Sequence, residues 1–239
     1  MFVVQELLET RYKGAEVVFL CGSVIRGEAN AHSDVDLVVV YPSVDRAYRE
    51  SFYHRNWPVE AFVHDPETLH HFILDVDRPV GSGSLAEMVS EGYEYPVATA
   101  FSNGLKELAK HALSEGPPAL TSDQAQDRRY YISELLDDIR DPRSRQELFA
   151  SAAPLYDEIA TYLLRSRRAW TATGKGMLKR LKKADPVFAR RFIDAFDLLY
   201  ATGRPDKVVE LGEDMLAVDG GLLFDGYRRD APREWRRSL

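Results

Sequence analysis

Two aspartates at alternate positions, Asp34 and Asp36, lead directly into the run Leu37-Val38-Val39-Val40-Tyr41. A run that apolar and β-branched reads as a buried strand. Strand side chains alternate between faces, so the two acids share one face about two residue rises apart. Two carboxylates that close call for a cation between them, and hard divalent ions take such oxygen ligands. Eleven residues before Asp34, Ser23 stands in a Gly22-Ser23 pair that ends a second β-branched and aromatic run at 16–21. A glycine there lets backbone approach an anion closely, and a strand-to-helix turn aims backbone N–H groups at phosphates.

The rest of the chain frames these two turns. Apolar positions at helical spacing over 3–12 and a stop at Gly14 predict a helix before the first strand. The second strand is expected over 35–41, a helix over 43–55, and a third strand over 57–64 closed by Asp65-Pro66. That third strand carries one carboxylate, Glu60, among apolar neighbours, with Asp65 and Glu67 as nearby competitors for the same role. If it lies beside the strand of Asp34 and Asp36, three carboxylates converge. After Pro66 the pattern is helical, with capping boxes expected at Ser84-x-x-Glu87 and Thr121-x-x-Gln124. Gly116-Pro117-Pro118 marks a domain boundary, which gives a sheet domain over 1–116 and an all-helical bundle over 117–239. The Arg-rich tail 227–239 has no apolar period and is expected to pack loosely.

The residues Phe19-Leu20-Cys21-Gly22-Ser23-Val24-Ile25-Arg26-Gly27 and Ser33-Asp34-Val35-Asp36-Leu37 together resemble the signature of the DNA polymerase β-like nucleotidyltransferase superfamily. The similarity covers roughly residues 16–65. It implies an α/β (α+β) nucleotidyltransferase domain with a mixed sheet, followed by the helical domain, whose arrangement resembles aminoglycoside nucleotidyltransferases. It further implies Mg²⁺, as two ions, held by Asp34, Asp36 and Glu60, with Glu60 as metal ligand, as base for an acceptor hydroxyl, or as both. ATP or another nucleoside triphosphate is the implied substrate, its phosphates held at Gly22 and Ser23. Arg26 is a candidate phosphate contact or a brace for the loop, and Ser33 a candidate to orient Asp34 through a local hydrogen bond. The segment Arg168-x-Trp170 with Lys175 and Lys179 resembles part of the aminoglycoside 3''-adenylyltransferases, in which basic residues of the helical domain reach the triphosphate.

Composition narrows the class. At 239 residues, with 45% hydrophobic and 29% charged residues, the chain resembles an ordinary globular protein and holds no apolar run near the ~20 residues a membrane crossing needs. One cysteine, Cys21, and an N-terminus without a basic and long apolar leader predict a cytoplasmic address. Residues 1–120 hold nine Lys and Arg against eighteen Asp and Glu, a net of −9, whereas residues 121–239 hold 22 against 20, a net of +2. This division fits a metal-holding part beside an anion-gripping part and argues against a general nucleic-acid binder. The expected activity is transfer of a nucleoside monophosphate, AMP from ATP, to a hydroxyl of a small molecule, with Asp137, Asp138, Asp141, Asp157 and Glu158 as candidate partners for a polycation such as an aminoglycoside. The competing readings are a regulatory or antitoxin-like nucleotidyltransferase acting on a protein, and a nucleotide-binding scaffold without catalysis. Arg49-x4-His54 resembles the RNase motif of HEPN domains, but it lies in the sheet part, and no histidine follows His111 to complete such a motif in the bundle. Oligomeric state, base preference and acceptor identity are left open. His64, His70 and His71 read as solvated surface rather than a zinc site.

Overall fold

The computed structural model describes residues 2–30 and 32–236. By its internal contacts the chain divides into two compact units, residues 1–118 and 119–239. The first unit opens with α1 (Phe2–Thr10), β1 (Val17–Cys21), α2 (Gly22–Ile25) and β2 (Val35–Val40). It continues with β3 (Tyr48–His54), β4 (Trp57–His64) and α3 (Pro66–His71), which runs on through a π-helical stretch, Phe72–Asp77, and the single turn α4 (Arg78–Val80). Helix α5 (Ser84–Glu91), strand β5 (Tyr93–Tyr95) and α6 (Ala100–Glu115) complete it.

The five strands form one mixed sheet in the order β3-β4-β2-β1-β5. Strands β2 and β4 are parallel, and the other neighbours are antiparallel. The near-continuous apolar run of β2 follows from its central place, because both of its faces are covered. On one face Leu37 and Val39 pack with Val4 and Leu7 of α1. On the other, Val38 and Val40 pack with Leu69 of α3, Leu85 and Val89 of α5 and Ala109 of α6.

The region 43–55 is not helical as expected. Residues 48–54 form β3, and the reason lies in the turn that follows it. Arg55 and Asn56 both have positive φ, +48° and +66°, the backbone of a two-residue hairpin turn that folds β3 onto β4. Once paired, β3 alternates: Glu50, Phe52 and His54 are partly buried, while Arg49, Ser51 and Tyr53 are exposed. Glu50 faces the turn that follows α1, where Arg11 Nε and Tyr12 Oη donate to its Oε1 at 2.9 Å each. The Arg11 guanidinium also lies 4.1 Å from the Phe52 ring centre. These contacts give an acidic residue a satisfied place between helix and sheet.

Three other expectations change. Strand β5 interrupts the helical stretch after Pro66, and α6 starts at Ala100 behind a Thr99–Ser102 capping box. The cap before α5 is Gly83, not Ser84. The expected box at Thr121 and Gln124 is present. Among the histidines, His64 is no surface residue: it is 4% exposed at the end of β4, with its ring edge-on to Phe72 at 5.2 Å.

The second unit contains α7 (Ser122–Arg140), α8 (Arg145–Ser166), α9 (Lys175–Ala184), α10 (Pro186–Thr202) and α11 (Asp206–Ala217). They share one apolar core that includes Ile132, Leu155, Leu164, Phe192, Phe196 and Leu216. The start of the tail is fastened, whereas residues 230–236 are exposed, as expected of a loosely packed end. Tyr227 stacks on Tyr130 with ring centres 4.0 Å apart, its hydroxyl donates to Asp127 at 2.9 Å, and Arg229 pairs with Asp123 and Asp127 at 2.7 Å. Residues 237–239 of that stretch lie outside the described residues.

His64 makes the first unit sensitive to acid. Burial holds its imidazole neutral and depresses its pKa to about 4, against an opposing pull from Asp65. The folded state thus binds fewer protons than the unfolded state between the two pKa values, and stability falls as pH drops from about 6.5 toward 4. The His64 contribution to this loss is expected to be about 2 kcal/mol. Urea unfolding from pH 7 to pH 4.5 should show a steeper decline for the natural chain than for His64→Phe.

Candidate active site

Asp36 and Glu60 are direct neighbours across the parallel β2–β4 pair, and Cys21 faces Asp36 from the antiparallel side. The sheet register therefore sets Cys21, Asp36 and Glu60 in one row, continued by Ser51 of β3. Asp34 lies just before β2, two residues from Asp36 on the same side. Asp34, Asp36 and Glu60 each offer a carboxylate oxygen, and these oxygens lie within 4.8 Å of one another. Asp36 and Glu60 are half-buried, whereas Asp34 is exposed.

Gly22 holds the next position in the chain after β1. Its φ is +75°, and a Cβ placed there would come within 1.8 Å of Asp36 Oδ2. Two independent constraints thus demand glycine: the left-handed backbone and the close packing of the Asp36 carboxylate against the turn. The anion that the glycine admits is the chain's own aspartate. Ser23 is the second residue of the one-turn helix α2. A recess of about 180 Å³ lies beside this turn, lined by Gly22, Ile25, Arg26 and Asp36, with Glu87 and Glu91 of α5 on its far side.

The loop that feeds Asp34 is braced by local hydrogen bonds. The backbone N–H of Asn30 donates to Ser33 Oγ at 2.8 Å, and that of Ser33 donates to the Asn30 carbonyl at 3.0 Å. Ser33 thus ties the loop to itself through Asn30. Arg26 pairs with Glu28 at 3.0 Å.

Glu60 has partners the sequence did not reveal. Arg49 Nη2 donates to Glu60 Oε1 at 2.5 Å, and Ser51 Oγ donates to the same oxygen at 3.3 Å. Both donors sit on β3, which reads as helix in the sequence, so the missing signal was the period-two alternation of residues 48–54. Of the competitors for the third carboxylate, Asp65 caps α3 and accepts from Thr68 and Val44 backbone N–H groups at 2.9 and 3.0 Å. It stands beyond the opposite end of β4 from Glu60, roughly 13 Å or more along the strand. Glu67 follows in the first turn of α3.

Cys21 contributes packing, not chemistry. Its thiol donates to the carbonyls of Phe19 and Met88, and burial pushes its pKa well above the usual range. Arg168, Lys175 and Lys179 belong to the second unit. Arg168 follows α8 with φ +54°, Lys175 begins α9, and Lys179 lies one turn further on. Three of the five acidic residues considered for a polycation are engaged within that unit: Asp137 with Arg140 at 2.6 Å, Asp138 with Ser151 at 3.2 Å and Glu158 with Arg128 at 2.6 Å.

The donor set fits a hard divalent cation. It consists of carboxylate oxygens alone, from three residues whose atoms fall within one coordination sphere's reach of one another. Asp34, Asp36 and Glu60 are the residues that would hold such an ion.

With this geometry in hand, comparison with known proteins is informative. Residues 4–74 match the family model of the nucleotidyltransferase domain, a span that contains most of α1, β1 to β4 and all three carboxylates. No curated protein matches the chain. Among solved structures, a nucleotidyltransferase-like protein from Exiguobacterium sibiricum aligns over 91% of this chain and 74% of that one, at 14% identity and a TM-score of 0.44.

A glycine comparison tests the packing of the turn. Gly22→Ala should lower the unfolding free energy by about 1–3 kcal/mol, because it adds a steric clash with Asp36 to the backbone strain. Gly27→Ala has a similar φ of +68° but open space around the added Cβ, and should cost about 1 kcal/mol. Urea denaturation of both variants measures the difference.

Proposed function

We propose that this chain, whose residues 4–74 match a nucleotidyltransferase domain, transfers a nucleoside monophosphate to a hydroxyl group. The observation that carries the reading is the meeting of Asp34, Asp36 and Glu60 within 4.8 Å beside the Gly22-Ser23 turn. A group of three carboxylates this close is electrostatically costly. It is reasonable on the tip of a rigid sheet if the protein uses it to hold divalent cations.

In this reading Mg²⁺, as one or two ions, supplies the charge that steadies the phosphates of the donor nucleotide during transfer. The chain's own residues do the positioning. Asp34 and Asp36 project from the start of β2, where the strand fixes their separation, and Glu60 completes the set from β4. The backbone around Gly22 and Ser23 receives the phosphates that leave, and Arg26 lines the same recess. The acceptor oxygen attacks the α-phosphorus, the bond from that phosphorus to the bridging oxygen breaks, and pyrophosphate departs. The hydroxyl proton passes to Glu60 or to water. Arg168, Lys175 and Lys179 are proposed as phosphate-binding residues, in keeping with the resemblance of their segment to adenylyltransferases.

The donor is proposed to be ATP and the acceptor a small polyhydroxylated molecule, with an aminoglycoside-like compound as the first candidate. The support is the strongly acidic sheet half, which favours a cationic acceptor. The full chain is incubated with α-³²P ATP, Mg²⁺ and a panel of aminoglycosides, bulk RNA and a protein lysate. Label is expected on a small molecule, and Asp36→Asn should reduce it by at least about 10³-fold. Label on a protein band would instead favour the regulatory reading. ATP binding without labelling of any acceptor would favour a non-catalytic scaffold.

A further inference from the structure

Glu60 is held in an uneven way. Both of its hydrogen-bond donors, Arg49 Nη2 at 2.5 Å and Ser51 Oγ at 3.3 Å, take Oε1. Among the described residues no donor takes Oε2. The two donors come from one strand, β3, and they reach Glu60 because the register pairs Ser51 with Glu60 and Arg49 with Phe62. The Arg49 guanidinium is itself fixed from a second side, since its centre lies 4.9 Å from the middle of the Phe62 ring. Arg49 is 61% exposed at its side chain and Glu60 21%, so the pair sits at the rim of the carboxylate group.

An exposed ion pair usually contributes little to stability, about 0–1 kcal/mol, so stability alone does not account for this arrangement. Its geometry does something else. One carboxylate oxygen, Oε1, is held by a guanidinium nitrogen and a hydroxyl, and the other, Oε2, takes no donor among the described residues. Groups that orient a metal ligand act this way, by fixing the ligand's rotamer before the ion arrives.

We propose that Arg49 is a positioning residue: by holding Glu60 Oε1 it keeps Oε2 open to a divalent cation shared with Asp34 and Asp36. The inference rests on the metal-dependent reading of the site given above. Arg49 touches neither substrate nor the reacting atoms in this account. Its effect passes through Glu60, and this dependence is what makes it testable. Simple electrostatics predicts the opposite sign, because removing a positive charge beside the carboxylates should strengthen their hold on a cation.

Mn²⁺ alone is titrated into the full chain, and the free ion is followed by electron paramagnetic resonance. Arg49→Met should bind Mn²⁺ about tenfold more weakly than the natural chain despite the added negative charge. Arg49→Lys should recover much of the loss. In a Glu60→Gln background, Arg49→Met should have no further effect, since the group it positions is gone. Arg46→Met removes a charge from a residue that pairs only with Asp45 among the described residues, and it should leave Mn²⁺ affinity unchanged. Equal or tighter binding by Arg49→Met would overturn the positioning role while leaving the metal site intact. If the natural chain binds Mn²⁺ no better than Asp36→Asn, the metal reading itself falls, and the role of Arg49 with it. Matching thermal midpoints for the variants exclude misfolding as the cause of weaker binding.

Discussion

Mutual repulsion among Asp34, Asp36 and Glu60 is the constraint on which the first unit turns. At separations below 5 Å, partly solvated carboxylates repel by about 3 kcal/mol per pair at an effective dielectric of 20. A flexible loop would relax such strain by letting the side chains diverge. Here they cannot diverge far, because Asp36 and Glu60 are register partners on adjacent parallel strands, both anchored in cores on the two faces of the sheet. The Gly22 turn closes against Asp36 from one side, and Arg49 with Ser51 holds Glu60 from the other. The sheet, the glycine and the hairpin each keep charges together that would otherwise separate.

Much of this was legible locally. The two aspartates and their shared face follow from strand alternation alone, and the strand itself from the apolar run after Asp36. Gly22 stood out as a turn, but the reason for it did not, since only the folded register brings Asp36 onto it. Strand β3 was lost because Tyr48–His54 mixes charged and aromatic residues without a clear apolar face, and the turn residues Arg55 and Asn56 lack the glycine that usually signals a tight hairpin. With β3 went Arg49 and Ser51, the two donors to Glu60. Strand β5 escaped because three residues before a proline are too short to show a period. His64 ends the third strand, and that position carries it into the core beside Phe72 and not to the expected solvated surface.

The helical unit was read well for the same reason that its function is harder to read. Caps, breaks and 3.6-residue spacing are local signals, and the Thr121–Gln124 capping box stands before α7 as expected. Its charged residues, by contrast, are largely occupied with one another: Arg140 with Asp137 and Glu213, Arg191 with Asp214, Arg167 with Asp185. Tyr227 and Arg229 show how aromatic stacking and ion pairs fasten a segment that has no apolar period of its own. None of the described helices is long and apolar enough to cross a bilayer.

The repulsion account makes a prediction that reverses with conditions. Asp36→Asn keeps the shape of the side chain and removes one of the three charges. The decisive measurement is the thermal midpoint of the natural chain and of Asp36→Asn, each in a chelator and again in saturating Mg²⁺ with a non-hydrolysable ATP analogue. The account predicts a crossover: the variant melts higher when no cation is present, and the natural chain melts higher when the cation and nucleotide are supplied. The same order in both conditions would contradict a site built to hold a divalent cation.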